Sequence, residues 1–85
     1  MYYVYVLRGA KEFYTGATND LRRRISEHNS GKNFSTKNKG PFILIYFEGY
    51  KNKSDAFQRE RNLKLRANAL TGLKKRIRES LGEAL

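Results

Sequence analysis

Three polar side chains occupy helix positions where the neighbouring apolar residues predict contact with a core. Residues three or four positions apart share one face of a helix. In the segment YTGATNDLRRRISEH, Arg24 and His28 therefore lie on the same side as the apolar Leu21 and Ile25. Glu60 likewise falls within the apolar face of a later predicted helix. An unpaired carboxylate buried there would cost several kcal/mol or become protonated. The sequence therefore predicts a metal ion, a cationic side chain or a water-filled cleft beside Glu60.

These residue types suit phosphate chemistry. A guanidinium such as that of Arg24 binds phosphate oxygens through its planar fork, and a carboxylate such as that of Glu60 binds a divalent cation among oxygen ligands. A structural interpretation is also open, in which Arg24 pairs with Glu60, or Glu60 forms an (i, i+4) surface pair with Lys64. His28 would then be a histidine near a helix C-terminus, where a cation is mildly favoured. The inward position of all three polar residues favours a site.

Two of the six tyrosines are candidates for the same site. Tyr5 and Tyr14 lie on strands that are predicted to pair as a hairpin, so their hydroxyls could come near one point. The other tyrosines are interpreted as packing residues, because aromatic side chains favour strands. A phenol has a pKa near 10 and is a poor base at neutral pH unless a metal or a cation lowers that value.

The elements that must position these residues are three strands and three helices. Their order, strand–strand–helix–strand–helix–helix, predicts an α+β fold with a small three-stranded antiparallel sheet flanked by helices. The third strand is almost wholly apolar and is predicted to be the central one. The predicted strands are Tyr2–Leu7, Phe13–Thr18 and Phe42–Phe47, and the predicted helices run from about Asp20 to Asn29, Asp55 to Arg66 and Ala69 to Ser80.

Polar residues mark the predicted ends of these helices. Thr18 or Asn19 is the expected N-cap of the first helix, with Gly31 as its stop, and Ser54 and Asn68 are expected to cap the second and third. The residues of the second helix that are predicted to face the core are Ala56, Phe57, Leu63 and Ala67.

Composition limits the classes of function. The 85 residues suit one domain over 1–85 and carry a formal net charge of +10. Such a charge attracts polyanions, most commonly nucleic acid and less commonly an anionic membrane surface. The absence of cysteine excludes disulfides and thiolate metal sites. No apolar run approaches the ~20 residues of a membrane span, and the N-terminus is not typical of a signal peptide, so we expect a cytoplasmic protein. The predicted contacts to a nucleic-acid backbone are Lys32, Lys37, Lys39, Lys64, Lys74, Lys75 and Arg76.

Over nearly its whole length the chain resembles the GIY-YIG nuclease superfamily, close to the small UvrC-like single-domain proteins of bacteria. Tyr3-Val4-Tyr5 stands at the GIY position, with Tyr3 in place of the glycine, and Tyr14-Thr15-Gly16 stands at the YIG position. Arg24 matches the arginine of the family, and His28 follows one helical turn later. The segment 55–64 resembles the helix that carries the metal-binding glutamate, which would be Glu60.

The resemblance implies a metal-dependent endonuclease that hydrolyses phosphodiester bonds in DNA, in repair or in the processing of branched or damaged DNA. Glu60 would bind Mg²⁺ or Mn²⁺, Arg24 would hold a phosphate oxygen, and Tyr14 would position water or phosphate. Tyr5 and His28 are alternative candidates for the general base. Two other hypotheses stay open: a nucleic-acid-binding module of the same fold without activity, and a basic accessory protein of a ribonucleoprotein.

Overall fold

The strands of the protein form one antiparallel sheet in the order β2-β1-β3. The computed structural model describes residues 1–10, 12–31 and 41–84. Within these residues, the strands and helices confirm the predicted α+β class, with one more helix than predicted. The elements are β1 (Tyr2–Arg8), β2 (Phe13–Thr18), α1 (Leu21–Asn29), β3 (Ile43–Tyr50), α2 (Lys53–Leu65), α3 (Ala67–Arg76) and α4 (Arg78–Ala84).

The central strand is β1, so the prediction that the third strand would be central was wrong. Four consecutive β1 residues, Val4 to Leu7, are buried, which requires cover on both faces of the strand. Strand β3 lies at an edge, and its Ile43 and Phe47 are 52% and 51% exposed. An apolar run therefore marked a strand here but not its place in the sheet, which is decided by pairing with β1. Strand β3 also extends beyond its predicted end at Phe47, through Gly49 and Tyr50.

The predicted third helix is two helices. Helix α3 ends at Arg76, because the backbone of its C-cap residue Ile77, with φ −108° and ψ 28°, leaves the helical region. Ile77 is partly buried against the core, and α4 beyond it contacts β3. The bend therefore keeps both helices on the sheet, which one straight helix would not do. Asn68 lies inside α3 rather than capping it, because the helix begins one residue earlier.

The caps of α1 and α2 also differ from the predicted ones. Asp20 caps α1 by accepting a hydrogen bond from the backbone N–H of Arg23 at 3.1 Å. Thr18 instead accepts from the backbone N–H of Asp20 at 3.0 Å. The α2 cap is Asn52 rather than Ser54, whose N–H it binds at 2.8 Å. The predicted stop of α1 is confirmed, because Gly31 follows the C-cap with a φ of 79° that favours glycine.

The two faces of the sheet pack against different helices. Val4 and Val6 point to the face covered by α2 and α3. Tyr5 and Leu7 point to the opposite face, as the alternation of side chains along a strand requires. Helix α1 covers that face and packs its Leu21 and Ile25 there, together with Phe42. The side chain of Asn29 fixes the end of α1 by donating to the Phe42 carbonyl and accepting from its N–H, at 3.1 and 2.6 Å.

Glu48 lies on the α2 face of the sheet, opposite to Tyr5, because its cross-strand partner is Val4. Its carboxylate accepts hydrogen bonds from the hydroxyls of Tyr46 and Tyr50 and from Arg59 Nε at 2.7 Å. Burial would raise the pKa of this carboxyl, but the three donors outweigh burial and lower it. These contacts give Glu48 a structural role on this face of the sheet. Among the residues that the structure describes, no helix has the length and apolar character needed to span a bilayer.

Candidate active site

The two predicted site tyrosines reach one face of the sheet because of the β1–β2 register. Tyr5 lies opposite Gly16, and Tyr14 lies two residues before Gly16 on β2. Residues two apart on a strand point to the same face, so both phenols lie under α1. Helix α1 then adds Arg24 and His28 from its inward side.

Tyr5 and His28 form a buried hydrogen-bonded pair. The Tyr5 hydroxyl lies 2.9 Å from His28 Nε2, and each residue is only 1% exposed. The ring of Tyr14 meets the imidazole edge-on, with centroids 4.6 Å apart. The hydrogen bond offsets the cost of burying two polar groups. His28 is therefore held in a fixed orientation between the two tyrosines.

Gly16 leaves room for the phenol of Tyr5. A Cβ atom at this position would lie 2.4 Å from the Tyr5 hydroxyl oxygen and 2.6 Å from Cζ. Both distances are far below van der Waals contact. The glycine of the second tyrosine motif is thus required by a close approach between strand and side chain, as an interior glycine indicates.

Glu60 and Lys64 of α2 reach the same region from the edge of β2. Lys64 Nζ binds Glu60 Oε2 at 2.9 Å and lies 5.7 Å from the centroid of the Tyr14 ring. The side chain of Glu60 is 24% exposed. The carboxylate is also close enough to Tyr5 to raise the pKa of its phenol. Glu60 therefore joins the group formed by the two tyrosines, although it lies far away along the chain.

Arg24 occupies the exposed side of this group. Its Nη1 donates to Glu27 Oε1 at 3.0 Å, and its side chain is 29% exposed. The guanidinium also lies near the Tyr5 hydroxyl, where its hydrogen bond and charge act to lower the pKa of that phenol. Arg24 thus contacts the buried pair and keeps access to solvent, as a phosphate-binding residue needs.

The surroundings shift the proton affinities of the buried pair. Burial is the main cause that raises the pKa of Tyr5 to about 12; Arg24 opposes this rise, and Tyr14 and Glu60 add to it. Burial also lowers the pKa of His28 from its ordinary value of 6.5, and the positive charge of Arg24 lowers it further. At neutral pH the pair therefore consists of a neutral phenol and a neutral imidazole.

Comparison with known proteins agrees with this geometry. Residues 1–78 match the family described as the GIY-YIG catalytic domain. The chain belongs to this GIY-YIG family. A UPF0213 protein of Clostridium perfringens is 46% identical over 66 residues, which cover 75% of this chain and 71% of that protein. A UPF0213 protein of Natronomonas pharaonis is 42% identical over 65 residues, covering 74% and 76%.

A solved structure shares the GIY-YIG fold of this chain. The solution NMR structure of a UPF0213 protein from Bacillus halodurans matches with a TM-score of 0.52 and 35% identity, covering 86% of this chain and 84% of that one. Membership of the GIY-YIG family confirms the resemblance found in the sequence. It implies nuclease-type activity and a nucleic-acid substrate.

GIY-YIG nucleases generally use divalent metal ions, and Glu60 is the residue that the sequence predicts to hold one. Within the described residues, no three histidine, aspartate or glutamate side chains gather as a ready-made metal cage. Mg²⁺ does not need such a cage, because it keeps several waters and often takes one or two carboxylates together with substrate phosphate. Lys64 Nζ pairs with Glu60 Oε2 at 2.9 Å, which is the (i, i+4) pair of the structural interpretation, so a metal ion would have to displace this ammonium. A single, partly exposed carboxylate therefore suits only a largely hydrated divalent ion.

The predicted contacts to a nucleic-acid backbone are dispersed. Lys64 lies beside Glu60 and the ring of Tyr14. Lys74 lies on the other face of the sheet, with its Nζ 4.2 Å from the centroid of Phe13, and Lys75 and Arg76 are exposed on α3. Three further predicted contacts, Lys32, Lys37 and Lys39, lie outside the described residues.

A cleft of about 330 Å³ adjoins the site and was missed by sequence reasoning. It lies between α1 and α2 along the edge strand β2, and Arg24 belongs to both the cleft and the site. Phe57 lines it and is 42% exposed, so the prediction that this residue faces the core was wrong. The helical spacing of Lys53, Phe57 and Glu60 could have revealed a functional face of α2, because all three lie on one side of that helix.

Proposed function

We propose that the protein is a metal-dependent endonuclease that hydrolyses phosphodiester bonds in DNA, with branched or damaged DNA as its substrate. The observation that carries this proposal is one connected group of side chains. Arg24 and Glu60 lie at its exposed side, and the hydrogen-bonded pair Tyr5–His28 lies behind them. Distant parts of the chain supply these residues, which a purely structural ion pair would not require.

Arg24 is proposed to bind a non-bridging phosphate oxygen. Its fork is partly engaged by Glu27 at 3.0 Å, which leaves donors free for a phosphate. A guanidinium held in place before the reaction stabilises the charge that builds on the phosphate in the transition state. Tyr14, half-buried beside His28, is proposed to position the attacking water or the phosphate.

The pair Tyr5–His28 is proposed to take up the proton of the attacking water. A free phenolate at Tyr5 is disfavoured, because burial raises the pKa of this residue to about 12. If Tyr5 accepts the water proton while donating its own proton to Nε2 of neutral His28, no phenolate accumulates. This transfer needs the His28 tautomer that carries its proton on Nδ1. It assigns the relay to Tyr5 and the proton to His28, which holds it only transiently because burial and Arg24 lower the pKa of its imidazole.

Glu60 is proposed to hold the divalent ion. A bound Mg²⁺ or Mn²⁺ ion would stabilise negative charge on the phosphate and on the leaving 3′ oxygen. Lys64 would have to release the carboxylate of Glu60 and is then free to contact the DNA backbone, as the sequence predicted.

Cleavage of branched or nicked DNA by purified protein, with Mg²⁺ or Mn²⁺, tests the proposal. Glu60→Gln keeps the size of the side chain and removes its charge, so we expect cleavage to fall by at least about 100-fold. Glu79→Gln is the matched control, since it removes an exposed carboxylate on α4. Fluorescence anisotropy should report that both variants still bind the DNA.

Equal cleavage by the wild type and Glu60→Gln would indicate a contaminating nuclease and contradict the assignment. Tight binding without any cleavage by the wild type would favour the inactive binding module instead. In that case Glu60→Gln should also leave binding unchanged.

A further inference from the structure

The cleft beside Arg24 combines two kinds of group that bind single nucleotides. We propose that it binds one unpaired nucleotide next to the cleaved phosphodiester, with the base against Phe57 and Tyr2 and the phosphate near Arg23 and Lys53. This inference rests on the proposed function and adds a substrate class to it: DNA with an unpaired nucleotide at the cleavage site.

Two aromatic rings line the cleft. Phe57 is 42% exposed at the cleft, and Tyr2 is half-buried across from it. Isolated exposed apolar side chains need no explanation, but this one lines a cleft shared with a second aromatic ring and with cations. Proteins that bind single strands use aromatic rings as platforms on which bases stack, together with a positively charged path for the backbone.

Cationic side chains also line the cleft. Lys53 Nζ lies 5.2 Å from the centroid of the Phe57 ring, so an aromatic surface and a positive charge share one end of α2. Arg23 and Arg24 enter from α1, and Glu27 pairs with both of them, at 3.8 and 3.0 Å. The lining thus contains three cationic side chains, those of Arg23, Arg24 and Lys53, and the single acid Glu27. The cleft therefore favours an anionic ligand that also presents a ring.

Size and polar groups limit the ligand to about one nucleotide. The volume of about 330 Å³ is at the lower end of the roughly 300–1,000 Å³ of small-molecule clefts. The amide of Asn19 lies in the lining and can both donate to and accept from the edge of a base.

The cleft lies next to the proposed active site. Lys53, Phe57, Glu60 and Lys64 recur at helical spacing and lie on one side of α2. Arg24 is shared between the cleft and the proposed active site. A nucleotide in the cleft would therefore place its phosphate beside the arginine proposed to hold the cleaved group. A paired base cannot reach such a cleft without leaving the stack, so the ligand must be unpaired.

The test compares two DNA duplexes that differ by one unpaired nucleotide. Binding is measured by fluorescence anisotropy in the Glu60→Gln background, with Mg²⁺, so that cleavage does not interfere. We expect Phe57→Ala to weaken binding of the duplex with the unpaired nucleotide about 5- to 150-fold, and to leave the matched duplex unchanged. Phe47→Ala is the matched control: Phe47 is 51% exposed, packs edge-on against Tyr3 and does not line the cleft, so its loss should affect the two duplexes alike.

A second variant tests the cationic side. Lys53→Gln should weaken binding of the duplex with the unpaired nucleotide and lower its salt dependence by about one counterion, with less effect on the matched duplex, whereas Lys51→Gln, an exposed lysine outside the cleft, should change neither. The inference would be overturned if Phe57→Ala bound each duplex with the same affinity as its parent. If the wild type cleaves DNA and Phe57→Ala still binds the duplex with the unpaired nucleotide more tightly than the matched duplex, only the cleft assignment fails. If the parent binds neither duplex, the proposed function fails and the cleft assignment fails with it.

Discussion

Replacing Gly16 by alanine tests the geometry on which the proposed site depends. The added Cβ would meet three atoms of Tyr5, with the hydroxyl oxygen at 2.4 Å, Cζ at 2.6 Å and Cε1 at 3.1 Å. Ordinary contact begins near 3.4 Å, so the ring must move by about 1 Å. Tyr5 is 1% exposed and cannot swing into solvent. The movement must therefore strain the sheet or break the hydrogen bond to His28.

The expected cost follows from these two effects. Overpacking of a filled core costs about 1–3 kcal/mol, and the loss of a hydrogen bond adds about 1 kcal/mol. The free energy of unfolding should thus fall by about 2–4 kcal/mol. For a domain of this size, each kcal/mol lowers the melting temperature by about 4–8 °C, so Gly16→Ala should melt at least about 8 °C below wild type.

Urea and thermal unfolding followed by circular dichroism measure this change. Gly72→Ala is the control: it lies inside α3, and apart from its chain neighbours and the nearby helix backbone no atom lies within 4 Å of the added Cβ, so it should raise stability by about 0.4–1 kcal/mol. In a Tyr5→Leu background the clashing atoms are absent, so Gly16→Ala should cost little there. An unchanged melting temperature for Gly16→Ala, or additive costs in the double variant, would refute the close approach.

Two further predictions concern groups at the site. The pKa of His28, the one histidine of the chain, should lie below 6.5 when titrated by NMR, because burial and the charge of Arg24 disfavour its protonated form. The stability gained from burying neutral His28 is complete above its unfolded-state pKa near 6.5 and is lost as the pH falls from there through the lower folded-state pKa. A measured pKa at or above 6.5 would contradict the buried pair. Lys64→Gln should strengthen Mn²⁺ binding about two- to five-fold, because it removes the ammonium that pairs with Glu60. Electron paramagnetic resonance of free Mn²⁺ measures this change, with Lys75→Gln as control, and an unchanged or weaker affinity would mean that Lys64 does not compete with the metal.

Periodicity predicted the inward residues of α1 and could not predict their depth. The spacing of Arg24 and His28 relative to Ile25 is a local property of the helix, and the structure turns all three toward Tyr5. His28 is fully buried, whereas Arg24 stays 29% exposed. That difference depends on how α1 lies across the sheet, which the sequence of the helix does not encode by itself.

Helix α2 shows where reasoning from one face of a helix fails. Phe57 was assigned to the core beside Ala56, and only Ala56 is buried. Helix α2 lies along the edge strand β2, so one side packs on the sheet and the adjoining side faces the cleft. The pattern of apolar residues does not distinguish these two sides. The prediction that Glu60 lies in the same site as Tyr5 depended on the motif resemblance, because no local rule links residues on different elements.

The site divides its residues by exposure, and this division bears on mechanism. Tyr5 and His28 occupy the centre of a small core, where apolar side chains would pack without polar cost. Departures from core rules of this kind are expected at functional sites. Arg24, Glu60 and Lys64 are all partly exposed, so they can contact DNA and solvent. In the proposed hydrolysis, the exposed residues would hold the phosphate, and the buried pair behind them would receive the proton of the attacking water.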